Sequence, residues 1–88
     1  MYSTLYWSRN YFTAESMLYL NNSAEPLKIN NSADMDEIIS KIADVVQSAG
    51  VHTIYVNSKD DMALLPFIQK KLSENYNYNH EVKMEVVH

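Results

Sequence analysis

Gly50 separates two stretches that leave little freedom for the middle of this 88-residue chain. Before it lies a helical pattern over Asp34–Ala49. After it, Val51-His52-Thr53-Ile54-Tyr55-Val56 is the only place where β-branched and aromatic residues run together between two helical patterns. Asp34 can cap the helix and Glu37 stands three residues on, a pairing that satisfies free amides of the first turn. Met35, Ile38, Ile39, Ile42, Val46 and Ala49 recur at three- and four-residue spacing, and Val45 widens the stripe. Gly50 suits the position beyond the helix because it turns left-handed without a side-chain penalty. Val51 then opens a strand at once, and so tight a junction favours a right-handed parallel crossover. Within that central strand Ile54 and Val56 fall on one side and Thr53 with Tyr55 on the other, which suits a strand covered on two faces.

The flanks supply four more strands and a helix. Ser3–Ser8 is rich in strand formers, and Arg9-Asn10 starts a turn. Glu15–Asn21 and Pro26–Asn30 form a hairpin across Asn22-Ser23-Ala24-Glu25. A helix over Thr13–Leu20 is the alternative, because Ala14, Met17 and Leu18 also sit at helical spacing; strand is favoured. After the central strand, Asn57-Ser58-Lys59-Asp60-Asp61 feeds a second helix with Ser58 as its cap. Met62, Leu64, Leu65, Ile68 and Leu72 mark the buried side of that helix. Pro66 either kinks it or marks the start of the main helix after a short turn over Asp60–Leu64. The helix dissolves in the polar stretch Ser73–Asn79. Glu81–Val87 then alternates cleanly, as an outer strand with one wet, charged face does.

These elements make one domain over residues 1–88, of α/β class: a small mixed five-stranded sheet in the order β-β-β-α-β-α-β with two amphipathic helices. An α+β arrangement is the alternative. The order resembles that of ribonuclease H-like and actin-like cores, a resemblance of topology with no motif behind it. It makes a metal-dependent nuclease the enzymatic alternative, which needs carboxylates from several elements holding two cations about 4 Å apart. Asp60 or Asp61 and Asp36, Glu37 or Asp44 are the candidates. The first strand offers no acid between Met1 and Phe12, and Glu15 is a poor substitute.

Composition excludes several functions. With no cysteine there are no disulfides and no zinc-site spacing, and one glycine cannot build a phosphate-wrapping loop. A net charge of −4 with scattered lysines repels phosphate backbones and anionic membranes. His52, His80 and His88 have no Ser or Asp neighbour at triad spacing. No apolar run spans a bilayer and no leader pattern is read, so a cytoplasmic protein is expected. No catalytic residue, metal site or cofactor is implied.

What remains is surface. In open α/β sheets ligands bind beyond the carboxyl ends of parallel strands, which points to Asn57, Ser58, Lys59, Asp60 and Asp61, although capping explains the same residues. Tyr2, Tyr6, Trp7 and Tyr11 cluster near the N-terminus. Stacking of single-stranded nucleic acid on these rings lacks its cationic groove, since Arg9 is the only basic residue before Lys28. If both helices lie on one sheet face, the other carries rings from the first strands together with Tyr55, and a partner must cover it; if one helix covers each face, no patch remains. The acidic surface of the first helix, Asp36, Glu37 and Asp44, is the second candidate contact. The expected function is a non-enzymatic protein–protein interaction module, with no direct nucleic-acid binding and no membrane. The Asn-, Tyr-, Ile- and Lys-rich style fits a phage or mobile-element protein that occupies a basic site on a larger nucleic-acid-handling protein and inhibits it. A self-assembling, virion-type structural protein is the other alternative.

Overall fold

The structure, a computed structural model, describes residues 3–10, 12–13, 15–21, 27–29 and 34–87. Its elements are β1 (Ser3–Asn10), β2 (Glu15–Leu20), β3 (Leu27–Ile29), α1 (Met35–Ala49), β4 (Val51–Val56), a 3-10 helix (Lys59–Leu64), α2 (Leu65–Tyr76) and β5 (Lys83–Val86). The chain is thus a small α/β domain with a five-stranded mixed sheet and two main helices, in the expected order. Across the sheet the strands run β3-β2-β1-β4-β5. β2 is antiparallel to β1 and β3, whereas β1, β4 and β5 are parallel.

Local chemistry accounts for most boundaries. The Asp34 carboxylate accepts from the Glu37 amide at 2.9 Å and starts α1. Gly50, at φ 67°, ends it in the left-handed region, and its amide donates to the Val46 carbonyl. Ser58 caps the 3-10 helix, and α2 begins beyond it with Pro66 in its first turn, where a missing amide costs little. The second alternative for Pro66 therefore holds.

Three boundaries differ from expectation. β1 does not turn at Arg9-Asn10: those residues pair with Ser16 and Glu15, and the turn follows because the Asn10 side chain accepts from the Phe12 and Thr13 amides. α2 does not dissolve at Ser73 but runs to Tyr76, where Asn77 at φ 51° supplies a left-handed cap. β5 is shorter than Glu81–Val87, although the Val87 amide still donates to the Val56 carbonyl at 2.9 Å. Pro26 and Asn30, expected at the ends of the third strand, lie outside the described residues.

Two right-handed crossovers, β3-α1-β4 and β4-α2-β5, are taken in the same direction across the sheet, which puts both helices on one face. There Leu5, Trp7, Leu18, Ile54, Val56 and Met84 meet Ile38, Ile42 and Val46 of α1 and Ile68 and Leu72 of α2 in one core. The central strand is therefore covered on one face, not two. Thr53 and Tyr55, on its other side, are only half-buried, and among the described residues no helix lies over them.

Candidate interaction surface

The pleat of the sheet decides what the helix-free face presents. Alternation places Thr4, Tyr6 and Ser8 of β1, Met17 and Tyr19 of β2, and Thr53 and Tyr55 of β4 away from the helices. Register then aligns them. Tyr6 is paired with Tyr19 on one side and Tyr55 on the other, and Tyr55 with Glu85, so three tyrosines and a carboxylate form one row across four strands. The Tyr6 and Tyr19 rings stack with centroids 5.9 Å apart and planes inclined by 27°. The Tyr19 hydroxyl donates to the Met17 sulfur at 3.4 Å. Thr4, Tyr6, Tyr55 and Val87 line a shallow depression of about 470 Å³ on this face. All three tyrosines are half-buried and anchored on strands, so little ring freedom is lost on contact. Charge on this face is balanced: Lys28 and Lys83 stand against Glu15 and Glu85.

Of the aromatic residues expected at a partner surface, Tyr6 is on this face, and Tyr2 and Tyr11 lie outside the described residues. Trp7 is a correction. It is 0% exposed, because it shares the helix side of β1 with Leu5, and the Arg9 guanidinium carbon lies 5.8 Å from its ring centroid. Tyr19, inside the aromatic segment but not singled out by number, completes the row with the expected Tyr55; strand alternation combined with register is the signal that finds it.

The acidic surface of α1 is partly engaged within the molecule. Lys71 Nζ lies 3.3 Å from Asp36 Oδ1, and the Tyr76 hydroxyl donates to Asp44 Oδ1 at 3.3 Å, both across the α1–α2 seam. Desolvation first and the Asp44 carboxylate second hold the Tyr76 phenol above its usual pKa. Asp36, Glu37 and Asp44 are all exposed.

The polar loop after β4 is tied to the end of β1 through Asn57 and Asp61. Asn57 Oδ1 accepts from the Arg9 amide at 3.1 Å, and Asn57 Nδ2 donates to the Arg9 carbonyl at 2.8 Å. Ser58 Oγ accepts from the Asp60 amide at 3.3 Å. Asp61, 1% exposed, receives Arg9 Nη1 at 2.9 Å. Lys59 and Asp60 remain as exposed charges, while Asn57 and Asp61 fasten the end of β1. Among the described residues no three His, Asp or Glu side chains gather in a group that could hold a metal ion. Nor is any helix among them long and apolar enough to cross a membrane. On the helix side, an apolar groove of about 480 Å³ runs between α1 and strands β2 and β3, lined by Leu18, Leu20, Leu27, Val45 and Ala49 among others.

No family model, curated protein or solved structure matches the chain.

Proposed function

We propose that this chain is a non-enzymatic interaction module that docks a protein on the helix-free face of its sheet, around Tyr6, Tyr19 and Tyr55. The observation that supports this most is the in-register tyrosine row on a face that no helix among the described residues covers. Tyrosine brings a large apolar ring with a hydroxyl that can be satisfied on either partner, which is why protein interfaces are enriched in it. Balanced charge on this face suits a protein partner better than a phosphate backbone. In the finer version of this proposal, the exposed acids of α1, a surface apart from the sheet face, carry the chain to the basic site of a larger nucleic-acid-handling protein.

Capture of proteins from the source cell on immobilised chain tests the proposal. The wild type is compared with a Tyr6→Ser, Tyr55→Ser chain and with an Asp36→Asn, Glu37→Gln, Asp44→Asn chain. A protein held by the wild type and lost from the tyrosine variant supports docking on the sheet. Loss only from the acid variant moves the site to α1, and retention by both variants removes the proposal.

A further inference from the structure

We infer that the occupant of the helix-free face is a second copy of this chain, seated face to face about a two-fold axis parallel to β1 that passes between the Tyr6 side chains of the two copies. The inference rests on reading this face as a docking surface, and it adds the identity of what docks.

A two-fold interface must be self-complementary: if one residue meets another, the reverse contact is made as well. Few surfaces meet that demand by accident. An axis along β1 exchanges the positions of β2 and β4 and those of β3 and β5, because β1 is the middle strand of the order β3-β2-β1-β4-β5. Tyr6 then meets Tyr6 of the second copy. Tyr19 and Tyr55 are the two ladder partners of Tyr6, one on each side, so each falls over the other's counterpart in the second copy. The tyrosine row thus reads the same from either end, and every ring in it meets a ring.

The charges follow the same symmetry. Lys28 lies on edge strand β3, paired with Met17, and Glu85 lies on edge strand β5, paired with Tyr55. After the exchange, Lys28 comes beside Glu85 of the second copy. The two are offset by two residues, about 7 Å along the strands, within the span of a lysine side chain and a carboxylate. Symmetry makes this contact twice. Lys83 is carried to the opposite end of the face from Lys28, about 13 Å along the strands, so the two lysines are not set against each other. The face itself measures about 19 by 20 Å, from four interstrand spacings and six residues of strand. That is small beside the ~800 Å² of accessible surface each partner buries in a standard interface, so reversible association with a dissociation constant of roughly 10–500 μM is expected.

Sedimentation equilibrium of the whole chain from roughly 5 μM to 1 mM in low salt covers that range. The variants are Lys28→Glu and Glu85→Lys, both at exposed positions on edge strands, where folding is least disturbed. The wild type is expected to move from monomer to dimer with concentration. Each variant alone sets like charges opposite one another and should weaken the dimer about tenfold. An equimolar mixture of K28E and E85K chains brings opposite charges together and should form a mixed dimer tighter than either variant alone. A wild type that stays monomeric throughout overturns the inference, as does a dimer indifferent to both reversals. If that monomer still captures a protein that the Tyr6→Ser, Tyr55→Ser chain loses, only the second copy is removed and the docking face stands. A dimer untouched by the reversals and by the tyrosine substitutions forms elsewhere on the molecule and removes the inference; if the tyrosine substitutions also leave protein capture unchanged, the docking face falls with it.

Discussion

Asn57 holds both backbone polar groups of Arg9, accepting from its amide and donating to its carbonyl. β4 ends at Val56 while β1 runs on to Asn10, so a side-chain amide supplies the rung that the backbone of β4 no longer provides. Asn57→Ala is expected to cost about 1 kcal/mol, since water can replace part of an exposed pair of bonds. Asn57→Asp should be at least as costly, because a carboxylate cannot donate to the Arg9 carbonyl. Urea denaturation would show both as a lower midpoint with an unchanged slope.

The neighbouring ion pair gives a larger effect. Removing Arg9 takes the guanidinium at 2.9 Å away from the Asp61 carboxylate, which is 2% exposed at its side chain. Arg9→Met is expected to destabilise by about 2–3 kcal/mol, because a buried carboxylate that loses its paired guanidinium costs more than the pair itself contributed. Arg9→Met with Asp61→Leu should recover part of that loss. A double-mutant cycle measured by denaturation reports the coupling, and strict additivity would show that the two side chains do not act as a pair.

Ser16 offers a change in the opposite direction. Its hydroxyl is buried on the helix side of β2 with no hydrogen-bond partner among the described residues, as is the indole nitrogen of Trp7. Ser16→Ala removes that uncompensated group and should raise stability by about 0.5–1 kcal/mol, or a few degrees in Tm for a domain of this size. A lower Tm would mean that the hydroxyl is satisfied in solution, for instance by a buried water.

At Gly50 the expected penalty is purely conformational. A Cβ built there meets nothing within 4 Å, yet φ is +67°. Gly50→Ala should therefore cost about 1 kcal/mol and Gly50→Asn less, since asparagine tolerates the left-handed region. Equal losses for the two variants would point to packing instead.

Much of the fold was legible because it is written locally. Asp34 with Glu37, Gly50 followed directly by Val51, and the alternation of Val82, Met84 and Val86 each depend on residues within one or two turns. What depended on distant partners was read less well. Tyr6 and Trp7 are adjacent rings on opposite sides of β1, so hydropathy does not say which one faces the helices; only the placement of both helices on one face does. Asp61 looked like part of an open polar loop, and its burial follows from Arg9, 52 positions earlier. α2 runs past Ser73 into its Asn-rich end, where Tyr76 reaches Asp44 across the seam with α1, a contact that local composition does not reveal. Of the candidate surface, the aromatic identity was legible in the sequence, whereas the row of Tyr19, Tyr6 and Tyr55 required the register.

The position of β1 also orders events in time. It is the first strand to be synthesised, yet it becomes the middle of the sheet, and its parallel neighbour β4 lies about half the chain away; Arg9 and Asn57 are separated by 48 positions. A growing chain can close the β1-β2-β3 meander early, but the free edge of β1, with Leu5 and Trp7 beside it, stays open until β4 and both helices have left the ribosome. Long-range parallel pairing of this kind is slow to close and leaves an unpaired edge in the meantime. Folding of this domain is therefore expected to be gated by the arrival of its C-terminal half, and ribosome-stalled chains ending before Val51 should remain protease-sensitive.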